Sequence, residues 1–242
     1  MRLSAKASSC KTEGRALVPA SRDYFLSCFD MFDESKALRM NRYQMPQCLL
    51  LLLLFCSLCG FSLQAQEKAV ALVQLSNAQG RVIGSGTAFF IDAQGKAVTM
   101  GGLIAGAASV QLITQDSTVH TVTQILQEDA GSGLVVVQVD NNLSTSFDHL
   151  KIGDAPTQGS SVTLLTASDV QAVDKDSRSV SQIDAYSGYG YLLQTGGSLS
   201  RGQQGAPLVE GSQLVGLATF GALTGNNASL FVSPSRIAAA KP

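Results

Sequence analysis

Gly84-Ser85-Gly86-Thr87-Ala88-Phe89-Phe90-Ile91-Asp92-Ala93-Gln94-Gly95-Lys96-Ala97-Val98-Thr99-Met100 is the stretch that decides the fold. Two short apolar runs, Thr87 to Ile91 and Ala97 to Met100, flank the turn signal Ala93-Gln94-Gly95. Runs of this length, rich in β-branched and aromatic residues and bounded by turn residues, predict strands rather than helices. The same pattern continues outward in both directions. Further strands are predicted at Ala69 to Leu75, Ser109 to Thr114, Val119 to Leu126, Leu134 to Val139, Val162 to Leu165, Tyr191 to Gln194, Leu214 to Thr219 and Leu230 to Val232. Turns fall between them at Asp140-Asn141-Asn142, Gly153-Asp154 and Gly196-Gly197. This spacing predicts an all-β architecture of the sandwich or barrel kind. Helical signal is confined to Leu103 to Ala108 and to Ser235 to Ala240, where Ser235 follows Pro234 and is placed to cap.

Composition narrows the function classes. A 45% hydrophobic, 14% charged chain with formal net charge −1 is globular, and it lacks the basic excess that would mark a nucleic-acid partner. All five cysteines, Cys10, Cys28, Cys48, Cys56 and Cys59, precede residue 60. Residues 66–242 therefore contain neither a disulfide nor a thiol nucleophile. No metal or other cofactor is expected: the histidines are His120 and His149 alone, and Asp174 with Asp176, read as part of a polar loop, lacks the spacing of a calcium motif.

Residues 48–63 form an uncharged apolar run centred on Leu49 to Leu54, behind Arg42. A membrane helix needs about 20 apolar residues and a secretory leader about 7–15, so 40–65 reads as a signal peptide cut after Ala65. The alternative is an uncleaved anchor through 48–63. Residues 1–39 mix acids and bases ahead of Met40 and read as a non-structural extension, with Met40 or Met45 rather than Met1 as the true start; the competing reading is a cytoplasmic tail on an anchored protein. The exported domain is 66–242, secreted or periplasmic, and a membrane is a partner only through an uncleaved leader.

In order along the chain, the segments beyond residue 69 resemble the protease domain of HtrA-type, trypsin-like serine endopeptidases. Gly84 to Asp92 resembles the early G-S-G-x-x-h-h-D strand, and Gly95 to Ile104 resembles G-x-h-L-T-N-x-H-V-V. Asp129 to Val137 follows D-x-x-x-D-L-A-h-L, and Leu150 to Asp154 mirrors L-x-L-G-D. Leu192 to Thr195 with Arg201 to Leu208 resembles I-Q-T-D, a spacer, then P-G-N-S-G-G-P-L. The resemblance implies a trypsin-like double β-barrel with a short C-terminal helix. Family members commonly continue into a PDZ domain, whereas this chain ends at Pro242.

That chemistry needs a serine activated by a histidine, which a buried aspartate orients. The resemblance places the histidine position on Gly102, the aspartate position on Gly133 and the serine position on Gln204. Glycine has no side chain to carry a proton, and a carboxamide is neither nucleophile nor base near neutral pH. The expected catalytic set is therefore none. Gly202 matches a glycine whose N–H helps to form the family's oxyanion hole, and its bland reading is a residue of a tight turn. His120 reads as an exposed strand residue, His149 as a loop residue, and Glu128 with Asp129 as solvated turn residues. The strand Leu214-Val215-Gly216-Leu217-Ala218-Thr219 resembles the edge along which the family's substrates pair, so a bulky residue at Ala206 or Gly216 is expected to block a cleft without harming stability.

The function expected from these residues is a catalytically inactive homologue of trypsin-like proteases that binds an extended peptide or protein ligand, or acts as a scaffold. Two alternatives stay open: an active endopeptidase with displaced catalytic residues, and a structural extracellular β domain.

Overall fold

The computed structural model describes residues 66–141, 146–186, 190–219 and 228–240. The leader, its cleavage site and the N-terminal extension lie outside the described residues. Everything described belongs to one unit, Cys56–Pro242. Its first six strands are β1 (Val70–Ser76), β2 (Val82–Phe90), β3 (Lys96–Met100), β4 (Ser109–Ile113), β5 (Val119–Asp129) and β6 (Leu134–Val139). They close into a barrel of order β1-β2-β3-β6-β5-β4. The other strands are β7 (Lys151–Ile152), β8 (Ser161–Asp169), β9 (Ala172–Tyr186), β10 (Gly190–Gly196), β11 (Pro207–Glu210), β12 (Gln213–Ala218) and β13 (Ala228–Val232). Their order is β11-β8-β9-β10-β13-β12-β7, and the additional β11–β12 pairing closes six of them into a second barrel with β7 as an appendage. β7 runs parallel to β12, and all other pairings are antiparallel.

The pleat explains why the apolar runs are nearly continuous. Successive side chains point to opposite faces of a strand, and here both faces are buried. Ala88, Phe90, Ala97, Val135 and Val137 pack with Leu112 as the filling of the first barrel. Their neighbours Phe89, Val98 and Val136 pack instead with Leu165, Leu192, Val209 and Leu217 of the second barrel. The second barrel is filled from Leu164, Leu193, Leu208, Val215 and Phe231. Each strand thus feeds a barrel interior with one face and the layer between barrels with the other.

The decisive hairpin forms at Asp92 to Gly95. Ile91 N donates to Lys96 O at 2.9 Å, the Asp92 carboxylate accepts from the N–H of Gln94 and of Lys96, and Gly95 takes φ +90°. Three strands escape the sequence reading. β9, with 15 residues the longest, has only Val173, Val180 and Ile183 as aliphatic residues larger than alanine and reads as loop. Its backbone is bonded on one side to β8 and on the other to β10, so main-chain pairing rather than apolar alternation holds it extended. Asp174 and Asp176 therefore sit in a strand, not in a loop. β7 and β11 are short and exist through their pairing with β12.

The helices are shorter or shifted. Of Leu103 to Ala108 only α1 (Gly101–Ile104) is helical, because Ala105 turns extended and Gly106 takes φ +80°. The C-terminal helix, α2 (Pro234–Ala239), starts with proline in its first turn, so Ser233 and not Ser235 is the N-cap. The Ser233 side chain makes no capping bond; its hydroxyl lies 3.0 Å from that of Ser235.

Candidate active site

Gly102, Gly133 and Gln204 come from three segments that converge where the barrels meet. Gly102 lies in α1, immediately after β3, and Gln204 caps a 3-10 turn at Arg201–Gln203. A Cβ built on Gly102 would stand 3.6 Å from the side-chain nitrogen of Gln204. Gly133 closes the turn before β6 with φ +71°, and its carbonyl accepts from Gly101 N at 2.7 Å. The three positions are joined through Gly101 and Gly102, yet they present one carboxamide and no group able to attack or to carry a proton.

The turn that carries Gln204 is held from the first barrel. Thr87, fully buried in β2, donates its N–H to Gln204 O at 3.2 Å and its hydroxyl to Gly202 O at 3.0 Å, and its hydroxyl accepts from Ala167 N. Thr99 donates its hydroxyl to Thr87 O at 2.9 Å. Within the turn, Gln204 N donates to Arg201 O at 3.2 Å. An oxyanion hole needs neighbouring N–H groups aimed at one point outside the backbone. Here the Gln204 N–H is directed into its own turn, while the carbonyl of Gly202 is directed toward Thr87.

Asp129 is more than a solvated turn residue. It ends β5 and accepts from Gly131 N at 3.1 Å and from the buried Ser132 hydroxyl at 2.6 Å, and its carboxylate lies 3.2 Å from Arg236 Nε of α2. It thereby shapes the turn that presents Gly133 and ties that turn to the C-terminal helix. Glu128, the penultimate residue of β5, is exposed. His120 is buried rather than exposed: it sits in β5 opposite Leu112, with Phe147 edge-on at 4.9 Å and an Asp140 carboxylate oxygen at 3.9 Å. The β-period put it outward only if Val119 faced the core; instead Val119 is 50% exposed and His120 faces inward. His149 lies in a loop, its Nδ1 3.2 Å from Phe147 O.

The segment Leu214 to Thr219 is not an edge. β12 pairs along one side with β11, and on the other with β7 at Gln213 and Leu214 and with β13 at Leu217 and Ala218. Thr219 N donates to Leu230 O, and Leu214 to Ala218 are all buried. With β11 along one side and β7 and β13 sharing the other, β12 is an interior strand that offers no continuous ladder to an added strand. Gly216 touches the core as well: a Cβ there would lie 3.2 Å from Phe231 Cβ and 3.3 Å from Leu193 Cδ1. A bulky residue at Gly216, or at the fully buried Ala206, would disrupt the second barrel instead of obstructing a cleft.

A second polar centre has no signature in the sequence. Arg178 of β9 has a side chain only 7% exposed. It donates to Asp176 through two nitrogens, to Ser229 Oγ at 2.8 Å, and to the carbonyls of Ser198 at 3.1 Å and Gly196 at 3.3 Å. It thereby braces the segment that leads into the Arg201–Gln203 turn. A lone arginine between Ser177 and Ser179 offers no motif; only the pairing of β9 with β10 brings it to these carbonyls. Among the described residues no cluster of three or more His, Cys, Asp or Glu could hold a metal ion, and no helix is long and apolar enough to cross a membrane.

No sequence-family model matches the chain, and no curated protein matches it in sequence. Among solved structures, the crystal structure of the serine endoprotease from Yersinia pestis is similar, with a TM-score of 0.63 at 16% identity. The match covers 75% of this chain and 64% of that protein, so this chain spans less than two thirds of its length. At that identity the likeness is one of fold. The chain has the trypsin-like double β-barrel with a short C-terminal helix.

Proposed function

We propose that this chain is a catalytically silent member of the trypsin-like barrel class, exported through its leader, that works by holding an extended peptide or protein partner. The reading rests on one observation: a Cβ placed on Gly102 would stand 3.6 Å from the Gln204 side chain, with Gly133 behind Gly101, where a base, a nucleophile and an orienting carboxylate would have to stand. Loss of triad members leaves only what binding and an oxyanion hole supply, and the Gln204 N–H is turned into the Arg201–Gln203 turn. The alternative of displaced catalytic residues finds no support in the surroundings of His120, whose ring neighbours are Phe147 and Asp140.

The test is direct. Rigorously purified protein should hydrolyse unfolded protein no faster than buffer and should not be labelled by a serine-directed fluorophosphonate. Probe-sensitive cleavage that disappears on mutating one serine or one histidine would overturn the reading.

Rebuilding the triad should restore little. Gly102→His meets only the Gln204 side chain, but Gly133→Asp forces a side chain onto a backbone at φ +71°, beside Met100 Cε at 3.4 Å. The left-handed conformation costs about 1–2 kcal/mol for a residue with a Cβ, and a misplaced carboxylate does not orient an imidazole. The variant carrying Gly102→His, Gly133→Asp and Gln204→Ser together is expected to stay near the uncatalysed rate in peptide hydrolysis. Robust turnover would show that the supporting shell is already in place.

A further inference from the structure

A cavity of about 220 Å³ lies beside the Arg201–Gln203 turn, between β2 of the first barrel and β8 and β9 of the second. Ser85, Thr166, Ser168, Ser200 and Asp174 line it, Thr166 buried and the other four exposed. Thr166 is only 7% exposed, and its hydroxyl has no hydrogen-bond partner among the described residues. A buried hydroxyl without a partner forfeits its hydration for nothing in return, a cost relieved when a ligand supplies the missing bond. Asp174 is the only charged residue of the wall, and the adjacent Lys175 is engaged elsewhere, with Glu67.

The chemistry of the wall selects the ligand. An anion would meet the Asp174 carboxylate with no cation to offset it. An apolar group would find Leu72 as its one large apolar neighbour. A metal ion would have one carboxylate among neutral hydroxyls, too little charge to displace its water. A primary ammonium fits on each count. It carries three donors in a non-planar array, and the oxygen-bearing residues of the wall come from β2, β8, β9 and the segment before the turn, whereas the planar fork of a guanidinium suits paired, coplanar acceptors. The volume suits a short alkyl stem and little more.

We propose that this cavity is a binding site for a protonated primary alkylamine, with Asp174 as counter-charge and the Thr166 hydroxyl as a buried acceptor. The amine comes either from a lysine side chain of a bound peptide or from a small free amine. The inference goes beyond the proposed silence of the triad and does not depend on it: hydrolysis by the native chain would end that reading and leave this one intact.

The experiment titrates the full chain with n-butylammonium, and separately with n-butanol, while following backbone amide shifts. Saturable shifts confined to the cavity are expected for the ammonium only. Asp174→Asn should weaken its binding by about tenfold, the size expected for removing a charge-assisted contact. Thr166→Val, close in shape, should weaken it too, and Asp148→Asn, which removes an exposed carboxylate elsewhere, should not. A lysine-bearing extended peptide and its norleucine twin separate the sources. Tighter binding of the lysine peptide than of n-butylammonium assigns the site to a peptide side chain, and equal binding assigns it to free amines. The proposal is overturned if n-butylammonium does not saturate, if n-butanol binds equally well, or if Asp174→Asn leaves the affinity unchanged.

Discussion

Gly205→Ala should cost the domain about 2–5 kcal/mol of its stability. Gly205 follows Gln204 at φ +80°, and its N–H donates to Ala218 O at 3.0 Å. A Cβ there would lie 2.3 Å from Thr87 O and 2.6 Å from Thr99 Oγ1, distances no real Cβ adopts. Neither neighbour can withdraw cheaply, because the Thr99 hydroxyl is bonded to Thr87 O and Thr87 N is bonded to Gln204 O. Left-handed backbone costs an alanine about 1–2 kcal/mol, and overpacking a well-filled site adds about 1–3 kcal/mol. The sum is a large part of the whole stability of a domain. Gly159→Ala is the control: φ is +88°, but nothing lies within 4 Å of its Cβ, so only the backbone cost applies. Denaturant unfolding of the two variants measures the difference. Equal stabilities would show that the turn bearing Gln204 is not pressed against β2 in the way described.

Arg178→Met should destabilise the second barrel by about 1.5–3 kcal/mol, since it takes the charged donor from the buried Ser229 hydroxyl and from the exposed carbonyls of Gly196 and Ser198. Methionine keeps most of the aliphatic stem, so the loss reports the guanidinium. Asp176 is 48% exposed, and Asp176→Asn should cost less than about 1 kcal/mol because solvent screens that pair. Arg178→Lys should not rescue, because a single ammonium cannot serve acceptors spread over β9, β13 and the segment Gly196 to Ser198. Unfolding curves give the stabilities, and limited proteolysis should nick the Arg178→Met protein first between Gly196 and Gln204. If Asp176→Asn proves as damaging as Arg178→Met, the ion pair and not the carbonyl bracing is what matters.

The apolar runs carried most of the architecture in legible form. Phe89-Phe90 and Val135-Val136-Val137 are continuous because both faces of their strands are buried, and ten of the strands can be read from such runs and the turns between them. β9 was illegible for the complementary reason: its side chains are mostly polar, and no local pattern says that β8 and β10 pair with it. The same limit hid the state of β12. A run such as Leu214 to Ala218 reads alike at an edge and in a closed barrel, since the difference lies in whether distant β7 and β13 occupy its second side.

For the site the division is sharper. Sequence by itself determined the chemical inventory: no thiol beyond Cys59, His120 and His149 as the only imidazoles, and no side chain at Gly102 or Gly133 whatever their surroundings become. Folding can move groups together but cannot create them. Tertiary structure alone decided which of the groups present meet and which are left without partners. It brought Gly102 to Gln204, enclosed His120 against Phe147, carried Arg178 to the carbonyls of Gly196 and Ser198, and buried the Thr166 hydroxyl unpaired. Each of these depends on barrel closure between residues far apart in the chain, and hydrogen-bond ladders and burial at such separations leave no trace in local periodicity.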